Sequence, residues 1–565
     1  MSKGCHPELK EGFLSSNYIS ASYSILMKHK NTALFIASAL AFFAVLYPTV
    51  SALMGFPPFR DIHLGTALTY LKEGVNLFHP KIVGFNANDL PTIQEFPWWQ
   101  AGAACALSVA GGWWGAANIF SLLIFSLGIF PIYRMGKRFF GAGEAWWAVM
   151  AFLAQPLVFL YAGTASTDGM CLVAALWAYD RIHAFAIRGG WSRALIAASV
   201  GAFSATLKLP FFMAAGLAVA AEVLPAHFSK VSVWVRLGYV ATFSAAALAL
   251  WTSYTDSLFE KALWPLVDLR VGHNPEMVFW HFGDWAYRLS PAVWIKAIWR
   301  VANCLLGSFA LGGVMAIGLF QPGNKGARAW LFGAILTTIV FYHLVLHHSH
   351  YYLMFSPGVA LAMAGGWEWI GKRCFADKEH SKKFCSIGLA FIIFGALFQG
   401  LIGMKVVLQF DFYPQRIAKL IQDHTVPEDR LLIAGGGWGG EALFRAKRQG
   451  LSIWNTQFLE DSANLKKARE LGFTKLVVVR ESPLLVALQK TNPGETDYSG
   501  EPFSRFLSPI ATRWPPLYED EQLMIREISP NKDSAASMIV PAAEIFFQPK
   551  VEDDKEVATS HFPNL

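Results

Sequence analysis

Long apolar runs separated by short polar connections occupy the chain up to about residue 410. A bilayer core takes about 17 to 25 predominantly apolar residues per helical crossing. Runs of that kind stand at 31–52, 114–134, 145–163, 169–187, 193–207, 210–225, 237–254, 301–320, 329–346, 351–370 and 386–406. The stretch Trp98 to Gly112, with its small-residue run AGAACA, reads either as a twelfth span or as a helix lying in the interface. The pattern therefore predicts a mainly α, polytopic transmembrane helical bundle of about 11 to 13 spans.

Basic residues decide between the two readings of 98–112, because short cytoplasmic loops carry the excess of Lys and Arg. With 98–112 kept out of the span count, Arg134, Lys137 and Arg138, then Arg181, Arg188 and Arg193, then Lys230 and Arg236, then Lys325 and Arg328, then Lys372 to Lys383 all fall on the side of the N-terminus. Short loops on the other side then hold only Lys208. The expected arrangement has a cytoplasmic tail over 1–30, a transmembrane domain over 31–410, and external loops over 53–113 and 255–300. Trp98 to Gly112 then lies on the outer interface.

Past Asp411 the pattern changes to short strand-like and helix-like segments: RLLIA, GGGWGG, ALFRAKRQG, SIWNT, LEDSANLKKARELG and KLVVV. These predict a small extracytoplasmic α/β domain over 411–530. The remainder, 531–565, mixes Pro, Ser and acidic residues and is expected to be poorly ordered.

Composition agrees with a membrane protein: 54% hydrophobic and only 15% charged, where soluble domains carry about a quarter. The net charge of +7 is small and scattered, which argues against nucleic acid as a partner. No cleavable signal precedes the first run, so 31–52 is expected to stay as an anchor. Six cysteines fall in no metal-ligand spacing, and Cys171 and Cys304 read as small buried hydrophobes.

Candidate chemistry clusters on the outer side. Arg60 and Asp61 begin the first external loop at the membrane surface; a helix cap and a catalytic carboxylate both fit Asp61. Glu95 precedes a Pro-Trp-Trp belt, and is either a solvated carboxylate or a group that orients substrate or pairs with Arg60. Asp168 follows Ser166 and Thr167 at an outer helix end, where capping is the stronger reading for the two hydroxyls. Lys208 sits between two apolar runs just before Pro210, and either snorkels to headgroups or meets a lipid phosphate. Arg270 and Arg288 lie among aromatics in the second external loop. His347, His348 and His350 precede Tyr351; with no fixed carboxylate nearby in sequence, hydrogen bonding to phosphate or sugar ranks above zinc. Gly435 to Gly440 lacks the Lys-Ser/Thr of a P-loop.

Taken in series, RD at Arg60 and Asp61 followed by ALTYLKEGVNLFHP, then EFPWWQ, RMGKRFFG, TDGM at Asp168, TLKLP at Lys208 and HSHYYLMFSPGVALAMAG resemble the landmarks of the GT-C glycosyltransferases. The likeness is to the branch of protein O-mannosyltransferases (glycosyltransferase family 39) and bacterial aminoarabinose transferases, and LLIAGGGWGGEALFRAKRQGLSIWN resembles the small external domain of some members. Many relatives carry an acidic pair where this chain has Arg60-Asp61. The resemblance implies a GT-C bundle in the bacterial inner membrane that transfers a sugar, with inversion, from a polyprenyl-phosphate donor to a cell-envelope lipid, glycan or protein on the outer face. It implies Asp61 as base, with Asp168 holding the acceptor or a cation. Arg60, Glu95, Lys208, Arg270, Arg288, His348, His350 and Tyr351 would contact substrate. No cofactor is required by it, no metal ligands are assigned, and a divalent metal stays open. A multi-span transporter or lipid flippase is the alternative, although the hydropathy shows no internal two-fold repeat; a non-catalytic scaffold is a third reading.

Overall fold

The computed structural model describes residues 59–81, 95–141, 145–259, 270–377 apart from 272, 274, 307, 308 and 376, and 416–434, 441–453, 462–479, 516–519 and 523–527. The expected first and last spans, the N-terminal tail, Gly435 to Gly440 and the C-terminal tail lie outside the described residues.

The helices of the first part run in chain order as α1 (Phe59–Glu73), α2 (Trp98–Val109), α3 (Gly115–Ser126), α4 (Ile129–Phe140), α5 (Ala145–Leu153), α6 (Pro156–Ala162), α7 (Asp168–Arg188), α8 (Trp191–Leu207), α9 (Leu209–His227) and α10 (Val231–Phe259). They continue as α11 (Pro275–Phe282), α12 (Trp285–Leu289), α13 (Pro291–Leu306), α14 (Phe309–Phe320), α15 (Lys325–Val340), α16 (Tyr342–His347), a 3-10 turn over Ser349–Phe355 and α17 (Ser356–Cys374). Among the described residues four segments are long and apolar enough to cross a bilayer: Gly115–Phe140, Asp168–Arg188, Leu209–His227 and Val231–Leu258. At 12 residues, α2 is too short for a crossing. It buries Trp99, Ala103 and Leu107 against α1 and α3.

Two expected spans are broken. The run 145–163 divides into α5 and α6 with a 73° bend. Pro156 causes it: a proline disfavours helical backbone in the residue before it, and Gln155 is extended at φ −70°, ψ 131°. The Gln155 amide then donates to the Ser356 carbonyl at 2.8 Å, tying the break to α17. The run 301–320 is not one straight crossing either, for Pro291–Leu306 and Leu311–Phe320 meet at 101°.

Small residues let the helices approach closely. A side chain at Gly333 of α15 would strike the Ala214 carbonyl of α9, and one at Gly366 of α17 would strike the Val314 carbonyl of α14. The core around Phe125, Phe152, Leu172, Tyr179, Phe211, Trp330 and Leu361 runs through the bundle.

The second part is a five-stranded sheet with order β2-β1-β3-β5-β4. Its elements are β1 (Arg430–Ala434), α18 (Glu441–Arg445), β2 (Gln449–Ile453), α19 (Ser462–Glu470), β3 (Phe473–Val479), β4 (Pro516–Glu519) and β5 (Leu523–Glu527). β1 pairs in parallel with β2 and β3, placing Leu432 beside Leu451 and Leu476, while β5 runs antiparallel to β3 and β4. A helix over 416–424 adds Ile417 and Ile421 to the sheet's apolar core. This part meets the bundle through α18: Phe444 joins the apolar cluster of α1, α2 and α3, with its ring 5.9 Å from that of Trp114.

Candidate functional site

Lys208 is the centre of the site, and its position follows from Pro210. A proline lacks the N–H that would bond the carbonyl four residues back, and its ring crowds that carbonyl. The chain therefore breaks between α8 and α9, with Lys208 extended at φ −165°, ψ 104°. The carbonyl that Pro210 cannot use belongs to Thr206, and it accepts the backbone N–H of Phe96 at 2.9 Å. One missing donor thus fastens the Glu95-Phe96 segment beside the lysine.

The Lys208 ammonium lies 2.9 Å from Asp168 Oδ1 and 3.1 Å from Glu95 Oε1. Its side chain is 9% exposed and that of Asp168 5%, whereas that of Glu95 is 21% exposed, so Glu95 is the carboxylate nearer to solvent. Two carboxylates around one ammonium leave a local charge of −1, and removing one member of a buried ion group leaves its partners uncompensated. Asp168 is held from its other oxygen by the Ser166 hydroxyl, at 3.0 Å, and that hydroxyl accepts the Asp168 backbone N–H at 3.2 Å. The ring of Tyr351 lies 4.9 Å from the ammonium. His350 Nε2 is 3.9 Å from Asp168 Oδ1, and its ring stacks on His348. Burial pushes the His350 imidazole down to about 3, so at neutral pH it carries no charge and its approach to Asp168 is polar rather than ionic.

No protein-family model and no curated protein matches the chain. Among solved structures, ArnT from Cupriavidus metallidurans bound to undecaprenyl phosphate superposes with a TM-score of 0.55 at 12% identity, over 88% of this chain and 98% of that one. The fold is that of the GT-C glycosyltransferases. The apo state of the same ArnT gives 0.52 at 14% identity over 89% and 98%. Mycobacterial arabinofuranosyltransferase AftD gives 0.50 at 12% identity, over 88% of this chain and 40% of that one.

Within this GT-C fold, five of the residues expected to act together do come together: Glu95, Asp168, Lys208, His350 and Tyr351, with His348 stacked behind His350. Arg60 and Asp61 lie in the first turn of α1, with side chains outside the described residues. Arg288 is engaged elsewhere: its guanidinium donates to the Phe282 carbonyl at 2.9 and 2.6 Å and to that of Val340 at 3.3 Å, closing helix ends. Arg270 borders the second loop, where its carbonyl accepts from His273. Among the described residues no three His, Cys, Asp or Glu side chains converge to hold a metal ion.

Three members of the site do not stand out in the sequence. Thr167 makes no cap with its side chain, contrary to the expectation for that hydroxyl; it donates to Glu95 Oε2 at 3.1 Å and lies 3.2 Å from His63 Nε2. His63 in turn meets the Gln100 amide at 2.9 Å. Gln100 stands inside the EFPWWQ segment and His63 between the RD pair and ALTYLKEGVNLFHP, but only tertiary packing of α1 on α2 brings them to Thr167.

Proposed function

We propose that the protein is a membrane glycosyltransferase that moves a sugar from a polyprenyl-phosphate donor to a cell-envelope acceptor on the outer face of the bacterial inner membrane, inverting the anomeric centre. The observation that carries the proposal is the buried Lys208 ammonium, held by Asp168 and Glu95 within a GT-C fold. The ArnT structure that superposes on this chain is bound to undecaprenyl phosphate, which supports a lipid-linked donor.

In this reading Asp61 takes the proton of the acceptor while the acceptor atom attacks the anomeric carbon opposite the leaving phosphate. The phosphate gains negative charge as the glycosidic bond breaks, and a fixed cation in a poorly hydrated site stabilises that charge. Lys208 is that cation, and Asp168 fixes it. Glu95, the more exposed carboxylate, holds the ammonium from the side nearer to solvent. Arg60, Arg270, His348, His350 and Tyr351 line the donor and acceptor positions, and the C-terminal sheet over 411–530 stands on the same outer face.

The test is release of free polyprenyl phosphate from a panel of synthetic polyprenyl-phosphate sugars, with envelope extract as acceptor. Sugar-dependent release by the wild type and a loss of at least a hundredfold in Asp61→Asn are expected. Equal release by both proteins removes Asp61 from the mechanism. Sugar-independent movement of lipid across vesicles without bond cleavage would favour a flippase.

A further inference from the structure

His63 has two ring nitrogens and two partners, and the charge at the far end of the chain fixes the direction of every hydrogen bond. Ionised Glu95 can only accept, so Thr167 donates to it. The Thr167 hydroxyl has one proton, so towards His63 it accepts, which places the ring proton on Nε2. Nδ1 is then an acceptor and takes a proton of the Gln100 amide. The directed chain is Gln100 to His63 to Thr167 to Glu95, ending where Glu95 meets Lys208.

We propose that His63, as the neutral Nε2–H tautomer, is a positioning residue that holds Glu95 through Thr167 and thereby sets the place of the Lys208 ammonium. The inference deepens the glycosyl-transfer reading and rests on it for its activity arm. Asp61 lies two residues before His63 in the same helical turn, so anchoring His63 to Thr167 also ties the backbone at Asp61 to the start of α7.

Protonation breaks the chain. An Nδ1–H would point at the amide N–H of Gln100, and only reversal of that amide relieves the conflict, bringing round Gln100 Oε1, which is buried without a hydrogen-bond partner. The groups that act on the His63 ring are Glu95 before α2, Asp168 on α7, Lys208 between α8 and α9, and His350 on the 3-10 turn; the Trp99 ring of α2 stands edge-on at 6.4 Å. Burial outweighs the two carboxylates and holds the imidazole below its ordinary value, which favours the neutral form the chain requires.

The test uses the full-length protein in nanodiscs. His63→Phe and Thr167→Val are each expected to lower kcat/KM for the polyprenyl-phosphate donor about tenfold, the scale of one lost hydrogen bond to a charged group. The double variant should be no worse than either single one, because both cut the same chain. Thr167→Ser and His63→Gln keep the donors and should restore activity at neutral pH, His63→Gln also removing one group from the acid side of the pH profile. Additive losses, or unchanged kcat/KM in both single variants, overturn the proposal. A second arm is independent of turnover: deuterium exchange at the imidazole C2 position, read by mass spectrometry, should give His63 a midpoint below about 6.5, and Gln100→Ala should move it upward. An ordinary midpoint insensitive to Gln100→Ala also overturns it. If the exchange behaves as expected while the wild type releases no phosphate from any donor, the positioning role stands and the transfer reading falls.

Discussion

Two buried polar groups sit at opposite ends of the same helices and are built in different ways. At one end Asp168 opens α7 and Lys208 precedes α9; about 20 Å further along both helices, at 1.5 Å per residue, Glu222 of α9 meets Tyr179 and His183 of α7. The second group is closed. Glu222 accepts from the Tyr179 hydroxyl, His183 Nε2 lies 3.1 Å from its other oxygen, and the Arg138 guanidinium covers the Tyr179 ring at 5.1 Å. Two adjacent helices supply nearly all of it. The first group draws on α1, the Glu95 segment, the turn before α7, the Lys208 break and the 3-10 turn, and it leaves one carboxylate in excess. A group assembled from five separated segments is positioned by the whole fold and suits a binding site, whereas a group built on two neighbouring helices fastens them.

The strongest way to break this comparison is Lys208→Met. It should abolish donor-dependent release and cost about 3–5 kcal/mol of stability, since it strands Asp168 and Glu95; thermal unfolding in detergent, set beside the release assay, checks both. Asp61→Asn should match it in activity, with a loss of at least a hundredfold, while leaving the unfolding midpoint in place. Glu222→Gln should do the reverse, costing about 1–3 kcal/mol with activity per folded molecule retained. Were Glu222→Gln to inactivate a fully folded protein, the closed group would have a part in turnover and the contrast would fail.

The smallest effect concerns pH. His63 and His350 are neutral in the folded protein, with His350 near 3, and each regains an ordinary value of about 6.5 on unfolding. Below about 6.5 the unfolded chain therefore binds more protons, so stability falls as pH falls and the loss continues towards pH 3. Replacing His350 by Gln should flatten that slope, which unfolding measured between pH 7 and pH 5 would show.

Periodicity made most of the helices legible, because a bilayer-length apolar run leaves few alternatives. It missed the break at Gln155, where one residue before a proline turns the axis. At the site, Lys208 announced itself by standing alone between apolar runs, and Asp168 by heading one. Thr167 was misread because a hydroxyl one residue before a helix has a sufficient local explanation in capping, and its actual partners are 72 and 104 positions away. His63 carried no sign at all. Its role depends on α1 lying against α2, a contact that neither segment's own pattern specifies.

The bond from Phe96 to the Thr206 carbonyl also orders events during synthesis. The Glu95 segment leaves the ribosome more than a hundred residues before the acceptor it needs, an interval of about 6–20 s at 5–20 residues per second. Through that interval the segment has no lysine and no carbonyl to join, so the site can close only after α8 and the proline that frees its last turn have entered the membrane. Pro210→Ala would let the helix reclaim the Thr206 carbonyl for itself, and the waiting segment would have no acceptor to join.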